Sequence, residues 1–303
     1  MASTLISKAP KGSTLHVYDI SKGSIKRLYE KHPDTVEICA SPREVANKTD
    51  IAITMLPEGA NVRTVYLNPE TGILNPAISA RLLVDCSTID VETSKSVGAE
   101  VKRTCPGSSF YDAPVSGGTL GAEVGTLTFM LGCADDGSDA QWPLLYDLTQ
   151  RMGKASIACG GASMDLMAKL CNNYCSGLIA LATAEAMDLG IRGGIDPRVL
   201  YQIFSGSTAQ SKQGDDWNPV PGIRPQAPSS NGYKGGIKVQ LMAKDFGLAM
   251  KAARKTGAKA LLGEVGHQTY VGASKDPRCR DLDSRVVYRY IGGHEDWDKK
   301  ASL

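Results

Sequence analysis

The first half of the chain alternates short apolar runs with helix-forming stretches, and this pattern restricts the fold more than any other feature. Ser24–Lys31 is predicted to be a helix of this kind. Apolar strands separated by helices are typical of a mainly parallel sheet covered on both faces. We therefore predict an α/β domain of the Rossmann type up to about residue 160. Its predicted strands are Leu15–Asp19, Ile51–Leu56, Leu82–Cys86, Ser109–Ala113 and Leu127–Leu131.

The pattern changes at about Gly161, after which the strand-like runs stop. The chain has 303 residues, too many for one compact core. We predict a dinucleotide-binding domain over residues 1–160 and an all-α domain for substrate binding and oligomerisation over residues 161–303. Lys212–Gly236 is rich in Pro, Gly and Ser, and a loop of that length is usually functional or disordered. The predicted helices are Ser163–Ile191, which is the long interdomain helix, Pro197–Phe204, Ile237–Thr256 and Leu261–Val271.

Composition excludes several classes of protein. Hydrophobic residues make up 42% of the chain, close to the value for ordinary soluble proteins and too high for a wholly disordered chain. The net charge is +2 and no long basic run is present, so we expect no nucleic-acid partner. The longest apolar stretch, around Gly177–Ala184, is far shorter than the roughly 20 residues of a membrane span, and we expect none.

Cysteine and histidine give little support for a metal site. The eight cysteines include no CxxC pair, which favours buried thiols in a reducing compartment. Cys171 and Cys175 lie one helical turn apart, a spacing that suits a metal, but no histidine or second cysteine pair accompanies them. None of the four histidines has the sequence context of a catalytic triad or metal cluster: His16, His32, His267 and His294.

Asp19 ends the first predicted strand. A dinucleotide-binding βαβ unit places an acidic residue there, about 20 residues after its glycine turn, to bind the adenosine ribose. An acid at this point favours NAD over NADP; the alternative is a solvated turn residue.

The glycine turn itself is missing from the sequence. Counting back about 20 residues from Asp19 passes Met1, and no Gly-x-Gly-x-x-Gly is present. We interpret Met1–Ala9 as the remainder of the helix after that turn; the alternative is a weak organelle-targeting segment. Loss of the first strand would leave the edges of its two neighbours unpaired and would remove the pyrophosphate site.

Two further strand ends carry candidate ligand contacts. Leu56-Pro57, followed by Asn61, and Ser87-Thr88 lie where predicted strands end. Ligands of open α/β sheets bind at the carboxyl ends of the strands. The alternative is that both are ordinary turns.

Ser116-Gly117-Gly118 follows another predicted strand and starts a glycine-rich pattern that extends to Gly125. Successive glycines let backbone N–H groups approach an anion closely, and Ser116 adds a hydroxyl donor. The sequence predicts an anion pocket here, with a tight bend between strands as the alternative.

Lys169 lies in a helix surrounded by Ala, Met and Leu, where a buried lysine requires an explanation. Asn173 lies four residues further on and projects from the same face. Partial desolvation would lower the pKa of Lys169 towards the range useful for proton transfer. Lys244 begins a second helix and is either a further site residue or a local partner of Asp245.

These motifs resemble the β-hydroxyacid dehydrogenase family from Met1 to about His267. Asp112–Gly118 with Gly121–Met130 is similar to the family's substrate-binding signature, and Lys169-x-x-Asn172-Asn173 is similar to its catalytic lysine motif. Three segments resemble the branch that acts on 3-hydroxyisobutyrate: Thr183–Met187, Asn218–Gly222 and Leu241–Asp245. The departures are the missing glycine turn and Ser207–Asp216, which is longer than in that branch and lacks its Arg and Trp.

The resemblance implies roles by position. Lys169 would be the general acid/base, and Ser116, Gly117, Gly118 and Asn173 would hold the substrate. Contacts with the nicotinamide cofactor would come from Leu56, Pro57, Asn61, Thr88 and Lys244.

The implied activity is NAD-dependent oxidation of 3-hydroxyisobutyrate to methylmalonate semialdehyde in valine breakdown. One alternative is a sibling enzyme acting on tartronate semialdehyde, succinic semialdehyde or glyoxylate. Another is a non-catalytic homologue that does not bind NAD. The family further implies a homo-oligomer, either a dimer or a tetramer, with a mitochondrial location in a eukaryote and a cytoplasmic one otherwise.

Overall fold

The computed structural model describes residues 1–75 and 78–298. It places the strands in the first of two units, which comprises Met1–Lys169; the second begins at Leu170. The strands are β1 Leu15–Val17, β2 Val36–Ile38, β3 Ile51–Thr54, β4 Leu82–Asp85, β5 Ser109–Asp112, β6 Val115–Ser116, β7 Leu127–Leu131 and β8 Gly153–Ala158. The helices of this unit are α1 Ala2–Ser7, α2 Lys22–Lys31, α3 Pro42–Lys48, α4 Gly59–Leu67, α5 Val91–Thr104, α6 Gly118–Val124 and α7 Trp142–Gln150.

The strand pairing confirms the predicted mainly parallel sheet. β1 pairs with β2, and β3, β4 and β5 form a three-stranded sheet, all parallel. β7 pairs with β8 in parallel, and β6 is antiparallel to β7. Within the described residues β1, β2, β3 and β5 each hydrogen-bond to one strand only.

β4 is the central strand of its sheet because its sequence is almost wholly apolar. All four of its residues are buried, as expected for a parallel strand covered on both faces. β1 and β3 each end two residues earlier than predicted, and β4 and β5 each end one residue earlier. After β1, Asp19 Oδ1 accepts a hydrogen bond from Ser21 N at 2.7 Å, which turns the chain into α2. After β3, Leu56 N donates to Ser87 Oγ at 2.8 Å and not to a neighbouring strand.

Side-chain caps fix where several helices begin. The Ser21 hydroxyl accepts from Ser24 N at the start of α2. At α3, Ser41 Oγ accepts from Glu44 N at 3.2 Å, and the Glu44 carboxylate accepts from Ala40 N at 2.7 Å. This reciprocal arrangement resembles a capping box and satisfies two N–H groups at the helix end. The helical interpretation of Met1–Ala9 is confirmed over Ala2–Ser7.

The second unit is helical, as predicted. Among its described residues the only β pairing is an isolated bridge between Lys238 and Asp283. Its helices are α8 Met164–Arg192, which begins in the first unit, α9 Pro197–Gly206, α10 Lys212–Asp215, α11 Val239–Thr256, α12 Gly263–Lys275 and α13 Val287–Tyr290, with 3-10 turns at Pro228–Asn231 and Ser284–Val286. No helix in the described part of the chain is long and apolar enough to cross a membrane.

The core of the second unit packs α8 against α11. Leu181 and Met187 of α8 join Met242 and Phe246 of α11 in one buried apolar cluster. This packing holds the face of α8 that carries the candidate site residues.

The Pro- and Gly-rich segment Lys212–Gly236 is held by internal contacts. The buried Asn218 accepts from Val220 N at 3.0 Å, and its backbone oxygen accepts from Ser229 Oγ at 2.7 Å. Tyr233, also buried, donates its hydroxyl to Pro219 O at 2.9 Å. These bonds fix the segment beside the start of α11.

Candidate active site

Polar side chains tie together the carboxyl ends of β3 and β4. Ser87 Oγ accepts from Leu56 N and donates to Asp85 Oδ1 at 2.6 Å. Thr88 follows and is half-buried, whereas Pro57 is exposed. Asn61 is exposed in the first turn of α4. The predicted contacts therefore lie near the carboxyl edge of the sheet, where α/β proteins bind nucleotides.

Asp19 follows β1 and its side chain is exposed. Its Oδ1 accepts from Ser21 N, and within the described chain Oδ2 accepts no hydrogen bond. An exposed carboxylate beyond a parallel strand fits the ribose hydroxyls of a nicotinamide dinucleotide. The sequence contains no Gly-x-Gly-x-x-Gly.

Ser116-Gly117-Gly118 forms the turn from β6 into α6. Gly117 has φ +134° and Gly118 has φ +65°, backbone conformations that side chains rarely adopt. A Cβ on Gly117 would lie 3.0 Å from Leu127 Cδ2, so the packing also requires glycine. The segment is both the tight bend and a place where a ligand can approach the backbone closely.

Lys169 and Asn173 lie four residues apart on α8, and both are buried, with 3% and 5% of their surfaces exposed. Helix geometry places them on one face. Asn173 Nδ2 donates to Asp245 Oδ2 at 2.5 Å, and Asn173 Oδ1 accepts from Asn172 Nδ2 at 3.1 Å. These bonds fix the orientation of the Asn173 amide.

Lys244 forms the local pair that the sequence suggested. Its Nζ lies 3.3 Å from Asp245 Oδ1. Asp245 is itself buried on α11, and its two carboxylate oxygens contact Lys244 and Asn173. From the sequence alone, Asp245 was expected only as a local partner of Lys244. The available signal was an acidic residue beside a lysine and flanked by apolar residues, Leu241-Met242-Ala243 before the pair and Phe246 after it.

Three buried carboxyl groups, here called the carboxyl cluster, lie in the first unit and were not predicted: Asp85, Asp112 and Asp165. Asp85 and Asp112 are opposite each other on β4 and β5. Asp165 packs on Gly132, whose N–H donates to the Asp112 backbone oxygen at 3.0 Å.

Burial makes the carboxyl groups of Asp112 and Asp165 weaker acids than usual. It raises the pKa of Asp112 to about 7, with repulsion from Asp85 adding to the effect. Burial, followed by repulsion from Asp112, raises the pKa of Asp165 to about 8. Ser94 donates to the Asp112 carboxylate at 2.6 Å, which opposes the shift. The backbone N–H groups of Asp165 and Leu166 lie near the Asp165 carboxylate without the alignment of a hydrogen bond. These carboxyls therefore retain protons at a pH where ordinary carboxyls have lost them.

The two cysteines with metal-like spacing lie at the surface. Cys171 and Cys175 are both exposed on α8. In the part of the chain that the structure describes, no three His, Cys, Asp or Glu side chains are grouped to hold a metal ion.

Comparison with known proteins identifies the family. Residues 1–161 match the family model of the NAD binding domain of 6-phosphogluconate dehydrogenase. Residues 166–291 match the model described as NAD-binding of NADP-dependent 3-hydroxyisobutyrate dehydrogenase. The mitochondrial 3-hydroxyisobutyrate dehydrogenase of Mus musculus is 40% identical over 94% of this chain and 82% of its own length. The chain belongs to the 3-hydroxyisobutyrate dehydrogenase family.

Two bacterial members of that family agree with this assignment. The 3-hydroxyisobutyrate dehydrogenase of Pseudomonas aeruginosa is 34% identical over 94% of this chain and 92% of its own length. The solved structure of the Mycobacterium tuberculosis 3-hydroxyisobutyrate dehydrogenase with L-serine superposes with a TM-score of 0.81 at 31% identity, covering 96% of this chain and 94% of that one. The predicted family and Rossmann-type fold are confirmed. The chain is an oxidoreductase with a nicotinamide dinucleotide cofactor.

Proposed function

We propose that this chain catalyses the NAD-dependent oxidation of 3-hydroxyisobutyrate to methylmalonate semialdehyde, a step of valine breakdown. The observation that carries the proposal is the buried Lys169 on the same helical face as Asn173, whose amide is fixed by Asp245. A lysine with 3% of its surface exposed is shielded from bulk water and can exchange a proton with a group bound on that face.

In this mechanism Lys169 accepts the proton of the substrate hydroxyl. Asn173 orients that hydroxyl or the lysine, and Asp245 acts as a positioning residue through Asn173. The substrate carboxylate is bound by the Ser116 hydroxyl and by the backbone at Gly117 and Gly118. The bound nicotinamide supplies the hydride acceptor.

Asp19 would bind the adenosine ribose, with Leu56, Pro57, Asn61, Thr88 and Lys244 as the other cofactor contacts. Because a carboxylate repels a 2′-phosphate, we expect NAD to be preferred over NADP by at least about tenfold, which requires only about 1.4 kcal/mol. Comparison of kcat/KM for the two cofactors tests this. A preference for NADP would remove Asp19 from the ribose site.

The chemical role of Lys169 is tested by Lys169→Ala. We expect kcat to fall by roughly 10²–10⁴-fold, the scale of a positioned acid/base, with little change in NADH affinity. Lys95→Ala, which removes an exposed helical lysine from α5, is the matched control and should retain activity. Circular dichroism checks that both variants fold.

Near-normal turnover by folded Lys169→Ala would refute the mechanism. Assays with tartronate semialdehyde, succinic semialdehyde and glyoxylate test the sibling activities, and turnover of one of these in place of 3-hydroxyisobutyrate would reassign the substrate. No turnover of any of them by the wild type would favour the non-catalytic alternative.

Two further expectations concern the oligomeric state and the cellular location of the protein. We expect a homo-oligomer, a dimer or tetramer, and a mitochondrial location if the source is a eukaryote. Light scattering tests the first, and a monomer at micromolar concentration would contradict it.

A further inference from the structure

The end of the hairpin formed by α11 and α12 exposes three large apolar side chains. Leu261 has 86% of its surface exposed, and Leu262 and Val265 each have 63%. Leu261 and Leu262 are adjacent in the connection between the two helices, and Val265 lies in the first turn of α12. Single exposed apolar residues are ordinary, whereas a group of them marks an interaction site. Residues 254–265 are here called the hairpin tip.

Close packing between α11 and α12 keeps these side chains in water. The rings of Phe246 on α11 and Tyr270 on α12 have their centres 5.1 Å apart. Gly263 lies so close to Met250 that a Cβ on the glycine would collide with the methionine sulfur. Because the space between the antiparallel helices is already filled at Gly263, the two leucines that precede it remain outside. Their exposure contributes nothing to folding, which points to a role in binding.

Basic side chains accompany the apolar group. Arg254 and Lys255 lie in the last turn of α11, where positive charge also interacts favourably with the helix dipole. Lys259 lies beyond the end of α11, so the dipole does not account for it. The segment has one acidic residue, Glu264. Three cations and one acid give the hairpin tip a net charge of +2, as much as the whole chain carries.

Two of these cations are not neutralised by the protein. Among the residues that the structure describes, neither Arg254 nor Lys259 forms an ion pair, and both are exposed. Exposed leucines next to cations suit an anionic phospholipid surface, because the leucines enter the boundary between headgroups and acyl chains while the cations attract the headgroups. A fluid bilayer accommodates the end of a hairpin, whereas a protein partner must present a groove of matching shape.

We infer that the hairpin tip attaches the protein reversibly to the surface of an anionic phospholipid membrane. Leu261 and Leu262 enter the interface, and Arg254 and Lys259 contact the lipid phosphates. The attachment is peripheral, since no helix in the described part of the chain could span a bilayer. None of the proposed site residues takes part, so the inference does not depend on the proposed function.

Co-sedimentation with vesicles tests the electrostatic part of the inference. The wild type should bind vesicles of equal parts phosphatidylcholine and phosphatidylglycerol, and should bind phosphatidylcholine alone at least about tenfold more weakly. High salt should weaken the binding, because it screens exposed charges. Lys259→Glu reverses one charge and should lower the affinity for the anionic vesicles by about 10- to 30-fold.

The apolar part is tested by replacing both leucines. The double substitution Leu261→Asp with Leu262→Asp removes the inserting side chains and should lower the affinity for the anionic vesicles at least about 100-fold. Leu189→Asp is the matched control, because Leu189 is 75% exposed on α8 in the same unit and lies outside the hairpin tip. Its affinity should stay within about threefold of the wild type.

Insertion into the membrane is measured with a fluorescent side chain at the tip. Leu262→Trp should show blue-shifted emission on the anionic vesicles, and lipids with brominated acyl chains should quench it. Emission that stays unshifted and unquenched would show adsorption by charge alone and would contradict the role of the leucines. Melting temperatures check that all of the variants are folded.

The inference is overturned if the wild type does not bind the anionic vesicles, or if the double substitution leaves their binding unchanged. Light scattering adds one further outcome. If the double substitution dissociates an oligomer while the wild type does not bind vesicles, the hairpin tip is an interface between two copies of the chain and the inference is wrong.

Discussion

Each unit of this protein buries acidic side chains, but the charged groups that neighbour them differ between the two units. In the second unit, Asp283, Arg285 and Gln213 form a buried group called the ion-pair network, in which Asp283 faces the guanidinium of Arg285 and Arg285 donates to Gln213 Oε1. In the carboxyl cluster, Asp85, Asp112 and Asp165 face one another, and the pKa values of Asp112 and Asp165 rise. The nearest charged neighbour of a buried carboxyl group therefore differs between the two units: a cation at Asp283, and other carboxyl groups at Asp112 and Asp165.

The largest effect should follow from breaking the ion-pair network. Asp283→Asn leaves the buried Arg285 charge without its carboxylate partner, which should destabilise the protein by about 3–5 kcal/mol. Denaturant unfolding followed by tryptophan fluorescence measures this, since Trp217 lies on Arg285. A loss of unfolding free energy below about 1 kcal/mol would show that water or another group compensates the charge of the Arg285 guanidinium. The two units would then not differ in how much their buried carboxyl groups depend on a charged neighbour.

A smaller, pH-dependent effect is expected from the carboxyl cluster. Unfolded carboxyls have a pKa near 4, whereas Asp112 and Asp165 titrate at about 7 and about 8 in the fold. The folded state therefore binds more protons between these values, and stability should fall as the pH rises from about 4 to 8. Asp165→Asn removes one ionising group and should raise the melting temperature at pH 8 by several degrees, with less change at pH 5.

Asp147→Asn is the control for this experiment, because Asp147 is exposed and paired with Arg151 in the same unit. It should show no such rise at pH 8. The protection of amides in β4 and β5 against hydrogen exchange should fall as the pH rises, whereas the protection of amides in α11 should not. This loss of protection is the loosening expected from the carboxyl cluster. Equal loosening of both would place the proton-linked change outside the carboxyl cluster.

The smallest effect should come from an exposed carboxylate beside the ion-pair network. Lys238 Nζ lies 2.8 Å from Asp281 Oδ1, and this hydrogen bond holds the pKa of Asp281 below its usual value. A lowered pKa contributes stability above the unfolded value that is lost as the pH falls through it. Solvent screens the pair, so Asp281→Asn should shift the melting temperature by at most about 1–2 °C. A shift as large as that of Asp283→Asn would show that burial is not what separates the two aspartates.

Sequence patterns located the elements whose side chains are apolar and buried. β4 and the long helix α8 were predicted nearly to their ends because their apolar residues are continuous or periodic. The short strand β2 was missed because it has three residues, one of them Glu37. α3 was also missed, although Ser41 and Glu44 have the spacing of a capping box and were a usable signal.

The site was predictable only where its residues are close in sequence. Lys169 and Asn173 share a helix, so their spacing alone places them on one face. Gln213 and Arg285 are 72 positions apart, and nothing in either local sequence indicates that they meet. The carboxyl cluster was missed because Asp85, Asp112 and Asp165 are far apart in sequence. Asp85 and Asp112 each end a strand, where a single aspartate is usually solvated.

A substitution at Gly236 should be more harmful than its position in a loop suggests. The Lys212–Gly236 segment has many surface positions at which a change of residue would be tolerated, as in most loops. Gly236 is different because the Asp283 carboxylate occupies the space that a side chain would need. A change to alanine there would add one methyl group, yet it would push apart a charge pair 47 positions further along the chain. A variant at this loop glycine would therefore be expected to behave as a core mutation, with low protein levels as its first sign.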